Sequence, residues 1–423
     1  MATATDLAPA ADHLEIDTTD SPGPFVVIHT LTTVTGVNLN SDENGVPKTV
    51  NYGGAERLRV SAQALARAMR TQIREKTTLD EQAVSTRLLP QQTARLLEER
   101  GIDPADAVTA AALIVAAAGV AVNLERPEQT KSVLTVSPSA PGVLAELALA
   151  HFDDLADARQ AMEKAITGAL TTKTAPRRGK TARAKDGEEQ AADETPKAAK
   201  PPAPAKLVPY AIAAQAQHAL APGTGLEVAL FGRMIAELPR GRQPSTVQVA
   251  HACSVDPVEM LADDFTATDD WQDLDVFGSA MKGTHYLASA TLYRFAALDR
   301  GALRRRLLST GTPPEAVEDR ARQAERLFTT AAVYAVPPGR SSRTGSAVLP
   351  TWAIAASCDT PASAMPAFEE ALQPPAGLPA AAVLGDYLTR LPAAARLRGG
   401  TARWLAAVPA PALPATLTVD GAH

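Results

Sequence analysis

Arginines carry the chemistry most easily read from this chain. Between Asn51 and Lys76 there are six basic residues and two acidic ones, in a protein whose formal net charge is −6. Arg57 and Arg59 lie on a short strand-like run, and Arg67, Arg70 and Arg74 follow at spacings of three and four. On a helix starting near Ser61, at ~100° per residue, Leu65, Met69 and Ile73 form one stripe and the three arginines cluster opposite it. Planar guanidinium forks match phosphate oxygens, so such a face can hold successive phosphates of a nucleic acid. The competing reading is an ordinary solvated helix face.

Other chemistry is sparse. Asp42 and Glu43, in a polar loop from Asn38 to Gly54, are either a metal-holding pair for RNA cleavage or solvated turn residues. The seven histidines form no HExxH, and there is no GxSxG and no zinc-ligand spacing. Gly179-Lys180-Thr181 lacks the upstream glycine of a phosphate-binding loop, since Thr174 stands there. His29 and His251 fall in strand-like runs and read as packed side chains. The two cysteines, Cys253 and Cys358, form no CxxC, which suits a reducing cytoplasm. Between Ser254 and Tyr286 eight acids stand against Lys282 alone, without EF-hand spacing. Phe265 sits among them, as a local core anchor or as an exposed platform for a base.

The elements that must position these groups follow from periodicity. Hydrophobic residues make up 45% of the chain but aromatics only 4%, so Ala, Leu and Val must fill the core. Phe25–Thr33 reads as a buried strand and Arg57–Val60 as a short one. Strand-like runs return at Glu227–Met234, Thr246–Val255, Ala290–Leu298 and near Ala347–Ala356. Residues from about 77 to 222 read mostly as helices, and a long helix is expected over Pro314–Val333 with two more behind it. Lys173–Lys206, rich in Ala, Pro, Lys and Glu, cannot bury enough apolar surface to order itself. The uncharged run Ala107–Leu124 is long enough to span a membrane, but Ala, Gly and Thr dominate it. Asp103, Pro104 and Asp106 at its start look like a helix cap, so a buried helix is expected. The first twenty residues have no apolar core of a secretory signal. The fold class is α+β, compatible with a ferredoxin-like or RRM-like sheet bearing insertions.

Several blocks along the chain form an ordered series. They are Phe25-Val26-Val27-Ile28-His29, Leu39-Asn40 with Asp42, and Tyr52-Gly53-Gly54 running through Arg57-Leu58-Arg59-Val60-Ser61-Ala62-Gln63 to Arg67-Ala68-Met69-Arg70. Val228-Ala229-Leu230-Phe231-Gly232-Arg233-Met234, Val249-Ala250-His251-Ala252, Phe265-Thr266-Ala267 and Tyr293-Arg294-Phe295 continue the series in order, and together these blocks resemble the CasC family, the CRISPR-RNA-binding backbone subunit of type I-E Cascade. The resemblance implies a right hand with an RRM-like palm (22–76, 223–253, 287–415), helical fingers (77–222, with the insertion 173–206) and an extended thumb (254–286). It implies that Arg57, Arg59, Ser61, Gln63, Arg67 and Arg70 line an RNA groove. Arg74 and Arg233 are counted with them, and Lys48, Arg340 and Arg343 are further candidates. Met234 from the palm, and Phe265 and Thr266 from the thumb, would wedge against bases. The implied partners are crRNA, target DNA, further copies of the chain and other Cascade subunits, with no membrane, no cofactor and no catalysis. Ala66 departs from a lysine common in relatives. The enzymatic alternative is a metal-dependent endoribonuclease using Asp42.

Overall fold

The computed structural model describes residues 18, 20–78, 82–174, 204–220, 225–233, 243–267, 281–339, 344–345 and 348–404. The expected disordered stretch 173–206 lies largely outside them. The chain divides into two compact units, one of Met1–Glu81, Leu226–Gly232 and Ser245–His423, the other of Gln82–Gly225 and Arg233–Pro244.

In chain order the first unit opens with β1 (Phe25–Val37), β2 (Thr49–Tyr52), β3 (Ala55–Val60) and α1 (Ala62–Glu75). The second unit follows with β4 (Val84–Thr86), α2 (Leu89–Glu98), α3 (Pro104–Ala117), β5 (Leu134–Val136), α4 (Ala140–Ala150), α5 (Ala156–Thr174) and α6 (Tyr210–Ala219). The first unit resumes with α7 (Leu226–Phe231), β6 (Val247–Val249), β7 (Ala252–Ser254), β8 (Glu259–Ala267), β9 (Met281–Asp299), α8 (Arg300–Ser309), α9 (Val317–Tyr334), β10 (Trp352–Cys358), α10 (Gly377–Thr389) and β11 (Arg398–Trp404).

The nine-stranded sheet of the first unit runs β11-β10-β1-β9-β7-β3-β2, with β6 and β8 also pairing with β9. Its centre is β1-α1-β7-β9-α9-β10, the βαββαβ order of a ferredoxin-like fold, with β10, β1, β9 and β7 in the 4-1-3-2 arrangement. Residues alternate between the faces, as a strand period of two requires. Val26, Ile28, Leu292 and Ala296 pack with Leu65, Met69 and Ile73 of α1 and Phe328 of α9. Val27, Leu31, Tyr293 and Phe295 pack with Leu384 and Leu388 of α10 on the other face.

The run Glu227–Met234, expected as a strand, is instead helical over Leu226–Phe231, and all six of those residues are buried. A short apolar run has too few residues for periodicity to separate strand from buried helix. The run Thr246–Val255 is broken into β6 and β7 by an exposed His251.

In the second unit α3 confirms the expected cap: Asp103 accepts from the Ala105 N–H at 2.9 Å and Pro104 occupies the first turn. Eight of its residues are buried within that unit's own core. Among the described residues no helix is long and apolar enough to cross a membrane.

Candidate nucleic-acid interface

α1 is seated by its own first residues. Ser61 caps it, its Oγ accepting from the Ala64 N–H at 3.2 Å. The Ser61 N–H donates to Asn40 Oδ1 at 3.0 Å and the Ala62 N–H to His251 Nδ1 at 2.9 Å. His251 is thus a solvent-exposed cap of α1 and not a packed strand residue. As an acceptor at Nδ1, a neutral ring must carry its proton on Nε2. The capping serine was legible from its type and place; the histidine, 189 residues away, left no local signal.

The sequence-derived cations separate into three kinds. Lys48, Arg59 and Arg67 make no side-chain hydrogen bond or ion pair among the described residues. The Arg59 N–H donates to the Lys48 carbonyl at 2.8 Å, continuing the register in which Thr49 faces Leu58. Two like charges therefore stand opposite one another across two strands, an arrangement that costs stability unless an anion joins them. Three residues beyond Arg59 the helix begins, and Gln63 and Arg67 lie exposed one turn apart on it. Arg67 lines a groove of about 620 Å³ with Leu39, Thr71, Gln72, Tyr334 and Pro337. Gly339 (φ +48°) closes one end, where a Cβ would stand 2.5 Å from the Asn38 carbonyl oxygen.

Arg70 and Arg74 are half-buried and turned toward α7. Arg74 grips Glu227 through two bonds of 2.8 and 2.7 Å. The Arg70 guanidinium lies 5.1 Å from the centre of the Phe231 ring and 3.8 Å from the same carboxylate. Burial pulls the Arg70 pKa down, and Glu227 works against that pull. The expected single face of Arg67, Arg70 and Arg74 is therefore corrected to one exposed cation and two that share a carboxylate.

Arg57 and Arg233 are structural. Arg57 is 0% exposed. It donates to the carbonyls of Tyr52 (3.3 Å), Ser254 (3.1 Å), Phe368 (3.2 Å) and Glu369 (3.3 Å). Its strand neighbour Arg59 points to the same side, but the segment around Phe368 covers only Arg57. Gly53 (φ +58°) permits this approach, since a Cβ there would sit 1.5 Å from the Glu369 oxygen. Arg233 is buried in the second unit, donating to Leu220 O at 2.7 Å and Thr135 O at 3.3 Å. Desolvation lowers its pKa to about 10. Neither can line a groove. Met234, Arg340 and Arg343 lie outside the described residues.

Asp42 organises its own turn. Its Oδ1 accepts from the N–H groups of Asn44 (2.9 Å) and Val46 (3.0 Å). No cluster of three or more potential metal ligands occurs among the described residues.

Among the described residues β8 pairs with β9 alone, from Glu259 opposite Ser289 to Ala267 opposite Met281, forming a two-stranded ribbon. Asp263, Asp264 and Thr266 are exposed on it. Phe265 is half-buried against its own ribbon: it lies over Gly283, where a Cβ would meet the ring at 2.5 Å, and stacks on His285 with centroids 4.3 Å apart and planes 15° apart.

These features define an α+β protein with a ferredoxin-like sheet, a projecting acidic ribbon and unpaired cations flanking the start of the first helix. The chain belongs to the Cas_CT1975 family of CT1975-like proteins, whose sequence model matches residues 26–416, in keeping with the CasC resemblance. Among solved structures it is similar to a chain of a "CRISPR RNA-guided surveillance complex, pre-nicking", at 28% identity and a TM-score of 0.65, covering 86% of this chain and 88% of that one. It is also similar to a chain of a "CRISPR RNA-guided surveillance complex", at 28% identity and a TM-score of 0.57, covering 87% of each. No curated protein matches it.

Proposed function

We propose that this chain is a backbone subunit of a CRISPR surveillance complex of type I-E. It coats crRNA, stacks on further copies of itself and on other Cascade subunits, and presents guide segments to target DNA in the cytoplasm. The observation that carries the reading is the set Lys48, Arg59 and Arg67, left without a side-chain hydrogen bond or ion pair among the described residues around the Ser61 cap, in a chain so similar to surveillance-complex chains. The protein would hold the guide by its phosphates, and pairing with target DNA would read sequence. Stacking would be head to tail, an open heterologous contact in which the acids of one ribbon meet cations of the next copy.

The role is binding without bond breaking. One Asp42 oxygen is already committed to two backbone donors, which favours a turn over a metal site. Purified with its partner subunits, the protein is expected to carry RNA, run as a large particle and leave complementary RNA uncut in Mg²⁺. RNA-free material contradicts the binding role. Periodic cleavage products that vanish in Asp42→Ala contradict the non-catalytic one.

Phe265 is where ribbon packing and base stacking separate. Phe265→Ala leaves the sheet core intact, so its melting temperature is expected to stay within about 2 °C of wild type. Loss of a stacking platform worth about 1–3 kcal/mol should change the fluorescence of a base analogue at the kinked guide positions. A lower melting temperature with an unchanged base signal assigns Phe265 to ribbon packing alone.

A further inference from the structure

Arg294 is a buried cation for which RNA binding has no use. It stands opposite Thr30 in the β1–β9 pairing, and Thr32 lies two residues along on the same face, beneath α1 and α9. Arg294 is 5% exposed, Thr30 0% and Thr32 2%. The guanidinium donates through Nη2 to Ala332 O at 2.8 Å and through Nη1 to Val333 O at 3.5 Å, at the C-terminal end of α9. Those carbonyls carry the negative end of the helix dipole and offset part of the charge. Desolvation lowers the Arg294 pKa to about 10, so it remains a cation at neutral pH.

Among the described residues, Arg294 Nε, Thr30 Oγ1 and Thr32 Oγ1 have no hydrogen-bond partner. Two small cavities adjoin them. One, of about 10 Å³, is bounded by Thr30, Arg294, Leu65 and Met69. The other, also about 10 Å³, is bounded by Thr32, Arg294, Leu39 and Val60. A buried polar atom left unpaired is costly, and native interiors satisfy such atoms with protein or ordered water. A polar cavity of about one water's size with two or more partners is where a buried water resides, whereas apolar cavities stay dry.

We infer that each cavity holds one ordered water, bridging a threonine hydroxyl of β1 to the Arg294 guanidinium, so that α1 rests on a hydrated polar layer within an otherwise apolar core. Leu65 and Met69, which line the first cavity, are also the residues that seat the helix bearing Arg67.

Valine is close to threonine in shape but cannot hold a water. If the hydroxyls are water-bridged, Thr30→Val and Thr32→Val in the full chain should each lower the melting temperature by about 2–4 °C. If the cavities are dry, the same substitutions remove an unsatisfied buried hydroxyl, and an unchanged or raised melting temperature overturns the inference. Should the variants fail to fold, a high-resolution map of the wild-type protein decides. Density within hydrogen-bond distance of each hydroxyl and of the guanidinium is expected; empty cavities, or an anomalous peak there after bromide exchange, would assign a dry site or an anion instead.

Discussion

Arg57→Met is expected to destabilise the RNA-free protein by about 3–5 kcal/mol, because several buried carbonyls lose their donor at once. The guanidinium joins the β2–β3 hairpin (Tyr52 O), the end of β7 (Ser254 O) and the segment at Phe368–Glu369. Methionine fills much of the volume but leaves four carbonyls without this donor, and each buried unsatisfied group costs about 1–3 kcal/mol. Chemical denaturation without RNA measures the loss. Arg59→Ala, two residues further along the same strand, should cost no more than about 1 kcal/mol, since the half-buried Arg59 side chain makes no hydrogen bond or ion pair among the described residues. Equal destabilisation by the two substitutions would contradict the division into a structural and a ligand-facing arginine.

His29 gives the second large effect, on pH dependence. It is 0% exposed, its Nδ1 lies 2.8 Å from the Tyr293 hydroxyl, and Nε2 has no partner among the described residues. The Tyr293 oxygen also accepts from the Ala364 N–H at 2.8 Å. Desolvation holds the His29 pKa down at about 3, against 6.5 for the unburied group. As pH falls, the unfolded chain takes up this proton first. The stability contribution is therefore complete above pH ~6.5 and is lost as pH drops from there toward about 3. At ~1.4 kcal/mol per unit, the full span amounts to roughly 4–5 kcal/mol. His29→Phe should flatten the stability profile of the sheet unit between pH 6 and 4; an unaltered slope in that variant would assign the acid sensitivity to other groups.

How much of this was legible depended on how local each cause was. β1, α1 and α9 follow from hydrophobic period, and the Ser61 and Asp103 caps from residue type and place. The ferredoxin-like order was less accessible, because β1 must pair with β9 and β10 from far along the chain and no RRM aromatic signature marks the sheet; the CasC-like blocks supplied it. The arginine stripe shows why a site is harder to read than a helix. A helical wheel places Arg67, Arg70 and Arg74 on one side, and they are there, but Glu227 and Phe231 of α7 engage the last two. Strand alternation puts Arg57 and Arg59 on one face, and only the arrival of Phe368, 311 residues later, separates their fates. Phe265 had no apolar neighbour in sequence because its partners, Gly283 and His285, sit on the opposite strand.

The central claim, that the unpaired cations hold a nucleic-acid backbone, is tested by the salt dependence of guide-RNA binding in Lys48→Ala/Arg59→Ala/Arg67→Ala. Each phosphate contact on a single strand contributes about 0.7 to the slope of log affinity against log salt. The triple variant should therefore bind more weakly for every guide sequence, with a slope shallower by about 2 and an unchanged or raised melting temperature without RNA. A wild-type slope and affinity in a folded triple variant would mean that these three residues form a solvated surface and that the RNA, if bound, lies elsewhere.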